Sequence, residues 1–203
     1  MPNGSIYSVR GRETQDDALF QQAFEKYHQA VTIKPDLHEA WNGIGILHAY
    51  RREFQMAAQN FEKALGVARE SKDIRNLRNY ADNLIHALQD VTLDHIDQRN
   101  VGEANVHFRR ALESKSELDS KVWWHRLVEF FGNFVSKQHA GLFFDFYDIL
   151  KEKTLEEEVR LLSPFAIACE YWEKNEDAEV LDRLNPEWRE VVEDIIKKSE
   201  ERR

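Results

Sequence analysis

A single cysteine, Cys169, leaves no partner for an internal disulfide and rules out a cysteine-rich zinc site. Four prolines and eight glycines in 203 residues are too few for a turn-rich β protein. The glycines never fall into GxGxxG, or into GxxxxGK followed by Ser or Thr, so no phosphate-cradling loop is present. An HExxH pair and an aspartate-rich calcium loop are also absent. No stretch approaches the roughly 18 apolar residues that a membrane span needs. Met1 to Arg10 hold no apolar run, so no secretory signal is expected, and the expected compartment is the cytoplasm. Positive charge is in the minority. Lys plus Arg total 28 against 37 Asp plus Glu, a net charge of −9, which argues against a phosphate-tracking surface and against nucleic acid as a partner.

What the chain does have is a repeat. Trp41, Ile44, Gly45 and His48 are followed by Ala57, Phe61 and Ala64. A step of 34 residues back from the last three finds Ala23, Tyr27 and Ala30, with Pro35 five residues further on. A small residue, an aromatic four later and a small residue three after that share one helical face. The small residues let a neighbouring helix approach, the aromatic fills the gap, and proline ends the helix. Ala104, Phe108 and Ala111 repeat the signature, 47 residues after the Ala57 set, so an insertion of 13 residues precedes them. Trp124, Leu127, Phe131, Ala140 and Phe144 fit a fourth unit, with Val128 in place of the glycine and Tyr147 in place of the last small residue. Ala166, Cys169 and Ala178 outline a fifth, with Asp182 where the aromatic should stand.

On these residues the chain resembles the tetratricopeptide repeat family, whose 34-residue pattern is W-x-x-L-G-x-x-Y, then A-x-x-x-F, then P. The best unit runs from Glu39 to Arg69 and departs from the pattern at His48 and Arg69. The resemblance covers about 14–185, most strongly up to 111. It implies an all-α fold, a right-handed α-solenoid of antiparallel helix pairs. Three segments are expected: a polar 1–13 with a degenerate first helix, a repeat domain over 14–185, and a capping helix with a charged tail over 186–203.

Thr14 and Asp17 read as a helix start. Further helices are expected near 37–50, 54–69, 74–89, 101–115, 120–136, 139–152, 155–172 and 176–184. Residues 70–73 read as a connection. Residues 90–100 show no clear period and are either a loop or an extension of the flanking helices. Glu156, Glu157 and Glu158 read as a solvated helix start. Asn185, Pro186 and Glu187 supply a cap, a first-turn proline and an acid for a last helix. That helix carries Trp188, Val191, Val192, Ile195 and Ile196 on one side.

In the resembled family the first helices of successive pairs line a concave groove. Positions two before, one after and five after the Trp position face the ligand. The resemblance assigns Glu39, Asn42 and Ile46 from one unit, and, with Leu77 at the Trp position, Arg75, Arg78 and Asp82 from the next. Asn79 lies beside them, and Val122, His125 and Glu129 are the fourth-unit equivalents. One branch of the family clamps a C-terminal carboxylate. Here Gly43 stands where that clamp needs an asparagine, so Arg75, Arg78 and Asn79 make only a fragment of it. The other reading of the two arginines is the solvated face of a charged helix.

Other constellations are weaker. His125 and Glu129 are four apart, a spacing for two metal ligands or for an ordinary helical ion pair, and no metal is assigned. Asp94 and His95 have no nucleophile near them in sequence and read as a solvated pair. His48 reads as a core-edge packing residue, and Cys169 as a buried, inert thiol. No catalytic residue and no cofactor is assigned.

Nine aromatics crowd residues 123–147, including the adjacent pairs Trp123–Trp124, Phe130–Phe131 and Phe143–Phe144. Adjacent helical residues point about 100° apart, so one core face cannot take both. Either a wider helix contact covers them, or Trp123, Phe130, Phe143 and Phe146 form an interface for a partner or a homodimer. The expected function is a non-enzymatic scaffold that binds a peptide or partner segment. The alternative is self-assembly through the aromatic C-terminal half.

Overall fold

The computed structural model describes residues 17–118, 120–154 and 159–201. The described residues are all-α, with ten α-helices and no strand. They divide into two compact units, Met1–Asp119 and Ser120–Arg203. The stretch 14–185, expected as one repeat domain, spans both. Residues 1–13 and Thr14 lie outside the described residues, and so do Glu156, Glu157 and Glu158.

The first unit holds α1 (Asp17–Ile33), α2 (His38–Tyr50), α3 (Phe54–Glu70), α4 (Ile74–Asp97) and α5 (Val101–Glu113), with a 3-10 turn at Ser114–Glu117. Helix α1 ends before Pro35 because a proline ring cannot continue the hydrogen-bond ladder. The insertion is not a loop. It lengthens α4, where Leu84, Leu88, Val91, Thr92 and Ile96 continue one buried face to the helix end.

Three turns join α2 through α5, and they share one geometry. Arg52, Lys72 and Arg99 each adopt a left-handed conformation, with φ of 59°, 56° and 59°. The amide after each donates to a carbonyl five residues back: Glu53 to His48 at 3.0 Å, Asp73 to Ala68 at 2.9 Å, Asn100 to His95 at 2.8 Å. This bond closes a helix C-terminus and is commonly built on glycine. Side chains other than glycine give up about 1 kcal/mol or more there. Turns this short make sequence neighbours antiparallel.

The repeating triplets are core. Ala23, Tyr27, Ala57, Phe61, Ala64, Ala104, Phe108 and Ala111 are all buried, and Ala30 is half-buried. Two of the rings lie directly on the backbone of α2. A Cβ built on Gly43 would sit 2.5 Å from Cζ of Tyr27, and one built on Gly45 would sit 2.6 Å from Cδ1 of Phe61. Helices α1 and α3 therefore approach α2 through these two glycines. Alternate helices also meet. His38 and Asn42 of α2 bond to Tyr80 and Asn83 of α4, and Glu62 of α3 pairs with Arg110 of α5 at 3.0 Å.

The second unit holds α6 (Ser120–Phe134), α7 (Ala140–Lys153), α8 (Ser163–Glu173), α9 (Ala178–Asp182) and α10 (Pro186–Glu201), with 3-10 turns at Lys137–His139 and Arg160–Leu162. Here the expected register holds only in part: Leu127, Phe131 and Ala140 are buried as expected, but Trp124 and Phe144 are not. The buried face of α7 is Ala140, Phe143, Phe146 and Leu150, whereas Phe144 and Tyr147 are half-buried. Trp123, not Trp124, is the buried tryptophan. Of the helix expected over 155–172, residues 155–158 lie outside the described residues, Arg160–Leu162 form the 3-10 turn, and α8 begins at Ser163 with Pro164 in its first turn, where proline is tolerated. Helix α9 has five residues and leaves Ala178 exposed, too short to complete a fifth pair. Helix α10 starts as expected, with the Asn185 side chain accepting from the Trp188 amide at 2.9 Å. Its apolar side is only partly covered: Val192 is buried, Ile195 and Ile196 are half-buried, and Trp188 and Val191 are exposed.

Gly45→Ala should destabilise the protein by about 1–3 kcal/mol, since the added methyl forces the Phe61 ring off its seat. Gly66 lies within α3 with open space around its Cβ position, so Gly66→Ala should be neutral or stabilising by up to about 1 kcal/mol. Urea denaturation of the two variants side by side checks the contrast.

Candidate functional site

Helices α2 and α4 are joined by the His38–Tyr80 and Asn42–Asn83 hydrogen bonds, and every groove position expected in the first unit is on one of them. Arg75, Arg78 and Asn79 are exposed on α4. Glu39, Asn42 and Ile46 of α2 and Asp82 of α4 are half-buried. The row is tied together underneath. Asn83 donates through Nδ2 to Oδ1 of Asn42 at 2.9 Å, so Asn42 serves the helix contact. The clamp asparagine is absent for a packing reason, because Gly43 must admit the Tyr27 ring.

One end of the row carries a buried polar cluster. Nδ1 of His38 lies 3.0 Å from the Tyr80 hydroxyl and 3.3 Å from Oε2 of Glu39, and its Nε2 lies 3.3 Å from Oδ2 of Asp73. With its proton on Nε2, His38 donates towards Asp73 and accepts the Tyr80 hydroxyl at Nδ1. Burial pushes the Tyr80 phenol well above its ordinary range, and the carboxylates of Glu39 and Asp73 push the same way. The phenol therefore stays a donor. The Asn76 amide, 2.6 Å from Asp73, holds that carboxyl below its ordinary value, with the nearby His38 adding to the effect. Sequence reasoning missed His38, Tyr80 and Asn83. The available signal was Tyr80 with Ala81 and Leu84, which continue the buried face of α4.

Other expected residues are placed as follows. His48 is buried at the core edge, 2.5 Å from Glu53 and edge-on to Phe24. His125 is exposed on α6, and Glu129 pairs with Arg126 at 3.0 Å. Cys169 is fully buried, and burial raises its thiol far above the ordinary range, so it is a poor nucleophile.

Trp123, Phe130, Phe143 and Phe146 offer no surface. All four are inside the second unit, the last two with no exposure at all. Phe131 meets Phe143 at 5.3 Å between ring centroids, Phe134 meets Phe146 at 5.3 Å, and Phe130 meets Phe146 at 6.2 Å. Rings from α6 and α7 fill a wide contact, so both members of the Phe130–Phe131 pair are buried. An interface built from these four rings is corrected to a core. The apolar surface of this unit lies elsewhere. A groove of about 390 Å³ is lined by Val128, Leu161, Pro164, Phe165, Val191 and Ile195, among others.

No protein-family model matches the chain. Among curated proteins, the mouse (Mus musculus) "Protein O-mannosyl-transferase TMTC1" is 29% identical over 86 residues, which is 42% of this chain and 9% of that protein. The human (Homo sapiens) protein of the same name is 28% identical over 86 residues, 42% of this chain and 10% of that protein. The chain thus spans about a tenth of the length of the curated relatives it matches. No helix among the described residues is long and apolar enough to cross a membrane.

Tyr80→Phe should cost about 1 kcal/mol, by deleting one buried hydrogen bond to His38 while keeping the ring. Thermal and urea denaturation followed by circular dichroism checks it. An unchanged stability would mean that the hydroxyl does not tie α4 to α2.

Proposed function

We propose that the first unit is a right-handed helical-repeat scaffold, of the kind the tetratricopeptide resemblance implies, that binds an extended protein segment along α2 and α4. The observation that carries this reading is the row itself. Arg75, Arg78 and Asn79 are presented to solvent from a helix whose inner side is pinned to α2 by His38–Tyr80 and Asn42–Asn83. A preformed surface loses little ordering entropy on binding. Neighbouring guanidinium groups suit a carboxylate, so the segment carries an acidic side chain or a free C-terminus opposite Arg75 and Arg78.

The transfer chemistry in the relatives' name is not part of this proposal, because the chain covers so little of them. The module is non-enzymatic and needs no cofactor, and the cytoplasm is the compartment we assign it.

The double variant Arg75→Glu, Arg78→Glu should fold normally, since both side chains are exposed. As bait it should lose proteins that the unmodified chain captures. Retention of every captured protein by the variant would end the groove reading.

Self-assembly is the second reading. It rests on Val128, Leu161 and Val191, which are 43%, 57% and 49% exposed around the apolar groove of the second unit. Light scattering over a wide concentration range should show a dimer that Val191→Glu dissociates. A monomer at every concentration removes this reading.

A further inference from the structure

We propose that His95, Glu103 and His107 form a binding site for a divalent transition ion of the zinc type. His95 occupies the last turn of α4, and Glu103 and His107 stand one turn apart on α5. The turn Gln98–Asn100 folds α5 back along α4, and the Asn100 side chain accepts from the Glu103 amide at 3.4 Å. One donor atom from each of the three side chains lies within 4.8 Å of the other two. The two imidazoles are stacked, with centroids 5.3 Å apart and planes 5° from parallel. His107 is buried, His95 is half-buried and Glu103 is exposed, so the cluster has a closed side and an open side.

Nδ1 of His95 is buried and has no hydrogen-bond partner. Buried polar nitrogens are normally satisfied, and an unsatisfied one costs about 1–3 kcal/mol. An ion held at this nitrogen would satisfy it.

The donor set selects the ion. Two imidazoles and one carboxylate suit zinc and its neighbours, whereas magnesium and calcium want oxygen alone. Tetrahedral zinc with ligands at about 2.1 Å holds its donors about 3.4 Å apart. The three donors must therefore close by roughly 1.4 Å at most; the exposed Glu103 side chain supplies its own part, and one of the two near-parallel imidazoles must turn so that both lone pairs aim at the ion. Three protein ligands leave a fourth position for water. Arg110 opposes the ion. Its Nη1 lies 3.4 Å from Nδ1 of His107, while its Nη2 pairs with Glu62 at 3.0 Å. An ion taken at Nδ1 of His107 would displace the long contact, whereas one taken at Nε2 would leave it, and the Glu62 pair stays in both cases. The bound ion would join α4 to α5 across their turn, so binding would add directly to the stability of the first unit.

Calorimetric titration of the metal-free full chain with Zn²⁺, and with Mg²⁺ as the contrast, tests the site. One equivalent of Zn²⁺ should bind, with no heat from Mg²⁺, and the melting temperature should rise with Zn²⁺. Glu103→Gln and His95→Gln should each keep their helical circular dichroism and weaken Zn²⁺ binding by about tenfold or more. His125→Gln, on the second unit, should bind as the unmodified chain does. Failure of the unmodified chain to take up Zn²⁺ would overturn the site. So would equal uptake by Glu103→Gln and His95→Gln, which would place the ion on others of the eight histidines.

Discussion

Two aromatic rings resting on two glycines set the spacing of the first unit. Tyr27 covers Gly43 from α1, and Phe61 covers Gly45 from α3, so α2 is held between two helices at backbone contact distance. A side chain on α2 at either point would push a helix outward. The close approach fixes α2 relative to α3, and α3 in turn positions α4. Only with that spacing does His38 reach Tyr80 and Asn42 reach Asn83. The exposed row on α4 is therefore a downstream product of glycine packing on the other face of α2. Interiors packed this densely transmit a displacement rather than absorb it.

The second unit solves the same problem with bulk instead of closeness. Phe130, Phe131, Phe134, Phe143 and Phe146 interlock between α6 and α7 at centroid distances of 5.2–6.2 Å. Such pairs favour tilted and edge-on contacts, and most of these are close to perpendicular. Large rings tolerate a wider separation between helices and do not need a strict small–aromatic–small order. That is why the repeat signature weakens here without the core weakening. With these phenylalanines inside, the exposed apolar surface of the unit falls to Val128, Leu161, Trp188 and Val191.

Much of this was legible in the residues. Ala57, Phe61 and Ala64, with a copy in phase at Ala23 and a displaced copy at Ala104, foretold which faces are buried in α1, α3 and α5. Asn185 with Pro186 foretold the start of α10. The insertion was harder, because no 34-residue template covers it, yet Leu84, Leu88, Val91 and Ile96 carry the helical spacing through it. Phe143 against Phe144 could not be decided locally, since the choice depends on where α6 lies. Pro164 was a visible stop that the pattern of Ala166 and Cys169 obscured. The groove residues were placeable only by alignment to a family pattern. The pins beneath them, His38 with Tyr80, join residues 42 apart and leave no mark in either local stretch. His95 and His107 are twelve apart in sequence and meet only because three residues between them turn the chain back.

The residues at the three left-handed turns are Arg52, Lys72 and Arg99, all cations. Each follows the C-terminal end of a helix, where unpaired carbonyls concentrate partial negative charge. A cation there gains about 0.3–1 kcal/mol at low ionic strength, which offsets part of the roughly 1–2 kcal/mol steric cost of a side chain in that conformation. Glycine would remove the cost and the gain together. At three joints of the first unit the helix-end charge thus offsets part of the steric cost, and dissolved salt, which screens exposed charge, weakens that offset at all three at once.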